Sequence, residues 1–89
     1  MNIEVKKPTE EELISLGVKS WPIWEKEASS FDWYYDQKET CYFLEGEVEV
    51  ETEGAKSLKI QKGDLVVFPK GLNCKWQIQK AVRKHYKFE

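Results

Sequence analysis

Hydrophobic and polar residues alternate over most of this chain, a pattern typical of half-buried β-strands. The first alternating stretch covers residues 3–6 and ends before Pro8. A different pattern follows, in which the run from Thr9 to Glu12 has the sequence of a helix capping box and Gly17 can end a helix in a left-handed conformation. We therefore predict a short strand and then a helix from Thr9 to Leu16.

From residue 18 onward, glycines and prolines divide the chain into short extended segments. Val48 and Val50 alternate with glutamates, and Glu45-Gly46 before them reads as the turn of a hairpin. No helical segment separates the strands, which favours an all-β fold, an antiparallel β-barrel or jelly roll, with one short N-terminal helix. We predict a single domain, with the N-terminal strand and helix in residues 1–20 and the barrel in residues 21–89. The predicted strands of the barrel are Val18–Lys26, Phe31–Asp36, Thr40–Leu44, Glu47–Glu53, Ser57–Ile60, Leu65–Phe68, Asn73–Gln79 and Val82–Phe88.

Charge and composition narrow the classes of function. The chain has 14 Lys and Arg against 16 Asp and Glu, for a net charge of −2, and these charges are interspersed. A nucleic-acid-binding or membrane-surface protein would carry a basic excess, so we expect neither partner. No apolar run approaches the roughly 20 residues that span a bilayer, and the polar start lacks the apolar region of a signal peptide. We expect a cytoplasmic protein whose two cysteines are reduced, because they form no Cys-x-x-Cys motif.

Two glycine-anchored motifs suggest a family. Six residues separate Glu39 from Gly46, as in the first cupin motif, G-x5-H-x-H-x3,4-E-x6-G. Gly63, Pro69 and Gly71 match the second, G-x5-P-x-G-x2-H-x3-N. The chain therefore resembles the cupins, and most of all the small single-domain cupins related to ureidoglycine aminohydrolase and to the ethanolamine-utilisation cupins. The resemblance implies an RmlC-like jelly-roll barrel with a pocket inside it.

The residues at the cupin metal-ligand positions differ from the family pattern. Glu39 keeps the glutamate position, and Cys74 stands in place of the second motif's histidine. The two first-motif histidines are replaced by Trp33 and Tyr35, or by residues 32 and 34 at the longer spacing. Imidazole, thiolate and carboxylate are the usual ligands of transition metals, whereas tryptophan is not a ligand. We expect no cofactor, with Glu39 and Cys74 as weak candidates for a divalent metal site.

The alternation of the strands predicts which side chains line the pocket. If Glu39 points inward as in the cupins, Cys41 and Phe43 share its face. On the last strand, Lys84 lies on the apolar face together with Tyr86. An inward lysine is costly unless it is paired, so we predict that Lys84 meets Glu39 and that the two act as catalytic acid/base or binding groups. The predicted ligand-binding residues around them are Trp33, Tyr35, Cys41, Cys74, Trp76 and Tyr86.

Simpler interpretations remain open for each of these residues. Lys84 can instead extend along the barrel into water, and Glu39 can cap a turn. Both cysteines can be small buried hydrophobes. His85 falls on the charged face of its strand and is expected to be exposed to solvent, unless a one-residue bulge turns it inward. The cluster Trp21 to Trp24 can form a wall of the pocket, or pack in the core or a dimer interface.

Three functions fit the sequence. The first is an enzyme similar to ureidoglycine aminohydrolase, acting on a small polar nitrogen-containing or carbonyl metabolite. The altered metal ligands weigh against this function. Those enzymes also have two cupin domains in each chain, whereas this chain has room for only one. The second is a non-catalytic module that binds a small metabolite in the aromatic pocket. The third is a dimerisation module. Small cupins of this type usually form pairs, so the resemblance implies a homodimer.

Overall fold

A computed structural model describes residues 2–89 of the chain. The predicted capping box is present, because the Thr9 hydroxyl accepts from the Glu12 N–H at 3.2 Å and the Glu12 carboxylate accepts from the Thr9 N–H at 3.2 Å. Gly17, at φ 71°, ends the helix as predicted. No helix within residues 2–89 is long and apolar enough to cross a membrane. The elements are β1 (Glu4–Lys6), α1 (Glu10–Leu16), a 3-10 turn (Val18–Ser20), β2 (Ile23–Lys26), β3 (Ser29–Tyr34), β4 (Glu39–Thr52), β5 (Leu58–Gln61), β6 (Leu65–Phe68) and β7 (Asn73–Phe88).

All seven strands belong to one antiparallel sheet, which confirms the predicted all-β fold with one short helix. The order is β1-β6-β4-β7-β2, with β3 added to β7 and β5 added to β4. Within residues 2–89 the ladder does not close into a complete ring. The two long central strands, β4 and β7, therefore hold the fold together, since every other strand except β1 pairs directly with one of them.

The predicted hairpin at Glu45-Gly46 is wrong, and so is the predicted break between two strands at residues 80–81. β4 and β7 each run continuously, and they pair along almost their whole length. Three register shifts between Phe43 and Val48 bend the pair without ending it. Such bulges let one strand curve from one half of a jelly roll into the other.

Gly46 explains why the chain passes through this bend instead of turning back. Its φ is 109°, a conformation that other residues rarely adopt, and it lies directly against β7. A Cβ atom at this position would be 2.6 Å from the Ala81 carbonyl oxygen. Glycine at this position therefore allows two backbones to approach closely, which is one of the common roles of glycine within strands.

The core lies on the inward faces of these strands. Alternate residues of β4, including Cys41, Phe43, Val48 and Val50, are fully buried. Tyr35, which follows β3, joins the same cluster, and so do residues of β5, β6 and β7. The period-two pattern of the sequence thus predicts the inward residues correctly, because a strand that stays straight between bulges keeps its faces.

Candidate ligand-binding site

A cavity of about 150 Å³ opens at one end of this core. Seven aromatic side chains and the pair of charged residues predicted from the sequence, Glu39 and Lys84, form its lining. Its volume is close to that of an apolar cavity that accepts benzene, so it accommodates a molecule of about one ring. Small-ligand sites commonly have this composition, with an apolar wall and a few convergent polar groups.

Glu39 and Lys84 form a buried ion pair in the wall of the cavity. The Lys84 ammonium donates to Glu39 Oε2 at 3.0 Å, and each residue is only 4% exposed. The alternatives in which Lys84 extends into water or Glu39 caps a turn are therefore wrong. The pairing is confirmed, and its role in binding or catalysis stays a prediction.

The charge of Lys84 is balanced by aromatic rings as well as by the carboxylate. Its Nζ lies 4.9 Å from the ring centroid of Trp76, 5.1 Å from that of Trp24 and 5.8 Å from that of Phe43. The negative faces of aromatic rings attract cations at such distances, most strongly where water is excluded. The rings therefore help to keep an ammonium group in a site that water barely reaches.

The two aromatic residues at the first-motif histidine positions also line the cavity. Tyr35 is 1% exposed and stacks on Phe68 with their centroids 4.8 Å apart, while Trp33 is half exposed at the rim. Burial raises the pKa of the Tyr35 hydroxyl far above its ordinary value, and the negative charge of Glu39 raises it further. Tyr35 is therefore a neutral phenol at any physiological pH.

Cys41 and Cys74 do not line the cavity, which corrects their predicted place among the ligand-binding residues. Cys41 is fully enclosed, and its thiol lies 3.8 Å from the Val66 carbonyl oxygen. The Cys74 thiol lies 3.7 Å from the Trp33 carbonyl oxygen. Burial raises the pKa of Cys41 to about 12 and that of Cys74 to about 11. Both side chains are thus protonated, weakly polar packing groups near neutral pH.

We expect both thiols of the native protein to react slowly with Ellman's reagent at pH 8. Because the thiolate is the reactive form, pKa values this high predict rates at least about 100-fold below those of the urea-unfolded chain. The Cys74→Ser variant isolates the reaction of Cys41 and serves as the control. A thiol that reacts in the native protein as fast as in the unfolded one would show an activated cysteine and contradict this assignment.

His85 is buried rather than exposed, so its predicted exposure is wrong. It is 8% exposed, and its Nδ1 lies 2.9 Å from the Trp21 carbonyl oxygen, to which it donates. The Tyr86 N–H donates to the Pro22 carbonyl oxygen at 3.0 Å, so residues 21–22 cover this face of β7. The pairing of β2 with β7 continues without a bulge at this point. His85 therefore stays on the opposite face from Lys84 and does not reach the cavity.

Three lining residues were not among the predicted set. Phe31 and Phe88 continue the alternation of Trp33 and Tyr86 by two positions, so the same pattern contained them. Trp24 is the member of the Trp21 to Trp24 cluster that forms a cavity wall. Its place depends on the pairing of β2 with β7, which sets it opposite Lys84 and which no local motif predicts.

The residues at the cupin metal-ligand positions do not fit a metal ion. Within residues 2–89, no three side chains of His, Cys, Asp or Glu lie close enough together to hold one. Glu39 is engaged with the ammonium of Lys84, whose positive charge opposes a second cation at the same carboxylate. Tyr35 and Cys74 are protonated at neutral pH because burial raises their pKa values. The charged groups that line this cavity are therefore an ion pair.

The chain is similar in sequence to one protein-family model and in structure to several solved proteins. Residues 13–86 match the family model described as the EutQ-like cupin domain. A DUF861 family protein from Thermotoga maritima is 59% identical, with a TM-score of 0.96 over 99% of this chain and all of that one. The Salmonella typhimurium LT2 putative ethanolamine utilization protein Q is 22% identical, with a TM-score of 0.67 over 99% of this chain and 69% of its own.

The Clostridium difficile EutQ protein is 23% identical, with a TM-score of 0.67 over 74% of this chain. The matched region spans 52% of that protein, so about half of it has no counterpart here. At such identities the two EutQ structures support the fold alone. No curated protein matches the chain.

Proposed function

Because this chain belongs to the EutQ-like cupin domain family, we propose that it binds a small, neutral, nitrogen-containing carbonyl compound in its cavity. The observation that supports this proposal most directly is the Glu39–Lys84 pair, which is buried from bulk water and yet lines the cavity. Polar groups in such a place fix the orientation of a ligand whose apolar body fills the rest of the site.

The hydrogen-bonding groups of the pair define the class of ligand. Glu39 uses only Oε2 in hydrogen bonds within residues 2–89, which leaves Oε1 as an acceptor. Lys84 has three N–H groups, of which one donates to Glu39. The pair thus offers an acceptor beside a donor, which complements an amide edge with its N–H and C=O side by side.

Charge and shape narrow the class further. The pair is neutral as a whole, so it offers no net charge to offset the desolvation of a charged ligand, and a neutral ligand is favoured. The aromatic lining favours a flat molecule, because aromatic rings pack well face to face or edge to face. A cyclic amide of about one ring satisfies the charge, the shape and the volume together.

We expect 2-pyridone, a one-ring cyclic amide, to bind the wild-type chain and to shift its tryptophan fluorescence. N-methyl-2-pyridone has the same carbonyl but no N–H for Glu39, and its affinity should be at least about tenfold lower, because hydrogen bonds to charged groups are worth roughly 1.5–3 kcal/mol. Benzene is the control for purely apolar binding. Equal affinity for the two pyridones, or no binding of either, would sink the proposal.

A reaction on such a ligand is the second candidate function. Glu39 and Lys84 lie within hydrogen-bond distance of each other, so a proton can pass between them and a bound amide. Hydrolysis of a carbon–nitrogen bond, as in ureidoglycine aminohydrolase, is the reaction that the sequence resemblance suggests. Ring opening of small cyclic amides, or ammonia release from small acyclic amides and ureides, by the wild-type chain and lost in Glu39→Gln, would support it. Binding without release supports the binding function alone.

A further inference from the structure

One buried polar atom near the cavity is left without a partner. The indole N–H of Trp76 makes no hydrogen bond within residues 2–89, although the residue is only 2% exposed. An unmade hydrogen bond of a buried donor costs about 1–3 kcal/mol, so native structures rarely leave one without a reason. Trp76 also lines the cavity and packs against the Lys84 ammonium.

Two groups beside this N–H are able to accept its proton, the thiol of Cys74 and the hydroxyl of Tyr35. Sulfur is a weak acceptor, and only Tyr35 lines the cavity, so Tyr35 is the partner that a ligand can influence. Burial raises the pKa of this hydroxyl, and the neighbouring Trp76 N–H offsets a small part of that rise. Tyr35 and Trp76 both line the cavity, and the Trp76 N–H does not form a hydrogen bond to the Tyr35 hydroxyl in this structure. A tyrosine hydroxyl can accept one hydrogen bond and still donate its own proton.

Tyr35 is held firmly in this place. Its N–H donates to the Leu72 carbonyl at 2.9 Å, and its carbonyl accepts from the Gly71 N–H at 2.6 Å. Its ring stacks on Phe68 at an interplanar angle of 7°. A polar group that is fixed before the ligand arrives loses little entropy on binding, which suits it for discrimination between ligands.

We propose that the Tyr35 hydroxyl is a specificity-determining donor that binds a second oxygen of the ligand, while the Trp76 N–H donates to Tyr35. This inference rests on the proposed function, because it concerns the end of the ligand that does not meet Glu39 and Lys84. Linked hydrogen bonds strengthen each other, so the Trp76 N–H makes Tyr35 a better donor. The ligand class becomes a cyclic amide with a further carbonyl oxygen on the same ring.

Uracil and 2-pyridone test this inference, since both have the amide edge and uracil adds a second ring carbonyl and a second ring N–H, of which only the carbonyl can accept from Tyr35. We expect the wild-type chain to bind uracil more tightly. The Tyr35→Phe variant keeps the stacked ring and removes only the hydroxyl, and it should weaken uracil binding about fivefold while leaving 2-pyridone binding nearly unchanged. In wild type, uracil should also move the proton resonance of the Trp76 indole N–H further than 2-pyridone does.

The outcomes separate this inference from the function on which it rests. If 2-pyridone binds but Tyr35→Phe weakens both ligands equally or neither, Tyr35 is not the discriminating donor and only the inference fails. If uracil binds without moving the Trp76 resonance, the Trp76 N–H does not donate to Tyr35 in the complex. If neither compound binds the wild-type chain, the proposed function fails and the inference fails with it.

Discussion

Replacement of Gly46 by alanine is expected to destabilise the protein more than any substitution on its surface. The new methyl group would lie 2.6 Å from the Ala81 carbonyl oxygen, 2.8 Å from the Val82 Cα and 2.9 Å from the Lys80 carbonyl oxygen. All three are backbone atoms of β7, so relief requires β4 and β7 to separate. The strained φ and the overpacking together predict a loss of about 4 kcal/mol in the free energy of unfolding.

Urea unfolding followed by circular dichroism measures this loss, and Gly54→Ala is the matched control. Gly54 also has a positive φ, 76°, but a Cβ there would meet no atom within 4 Å. Its replacement should cost only about 1 kcal/mol, the cost of the conformation alone. Domains of this size are stable by about 5–10 kcal/mol, so the two variants are easily distinguished. If both variants unfold at the same urea concentration, the contact with β7 does not limit this position.

Gly46 also shows why the strand order was harder to predict than the strands. A glycine between two alternating segments is equally typical of a hairpin turn and of a close approach between strands. Only the pairing of β4 with β7, more than 30 residues away, decides between them. By contrast, α1 depends on signals within a few residues, and its capping box could be predicted directly from the sequence.

Some residues of the candidate site could also be predicted from local sequence patterns, whereas others depend on long-range contacts. Glu39 and Lys84 could be paired from the sequence because the cupin spacing orients one and the alternation of β7 orients the other. The alternation of hydrophobic and polar residues predicts the face of the strand on which a side chain lies. It does not predict which other segments of the chain pack against that face. The burial of His85 therefore could not be predicted, because residues 21–22 reach it only through tertiary packing. The position of Trp24 beside Lys84 depends on the same kind of long-range contact.

Replacement of Lys84 by methionine is the second change with a large expected effect. It leaves the Glu39 carboxylate buried without its counter-charge, and removal of one partner of a buried pair typically costs about 3–5 kcal/mol. Glu39→Gln should cost less, about 2 kcal/mol. In this variant the Lys84 ammonium still contacts the ring faces of Trp24 and Trp76, and the glutamine carbonyl oxygen can accept its hydrogen bond in place of the carboxylate. Urea unfolding of both variants gives these values.

The double variant, Glu39→Gln with Lys84→Met, distinguishes an ion pair from two independent side chains. It should be more stable than Lys84→Met alone, because no uncompensated charge remains in the core. Lys87→Met is the control on the same strand, since Lys87 is half exposed and its contact with Glu89 at 3.6 Å should contribute less than about 0.5 kcal/mol. Additive losses in the double variant would mean that Glu39 and Lys84 act separately. The electrostatic basis of the proposed site would then be lost, whatever the cavity binds.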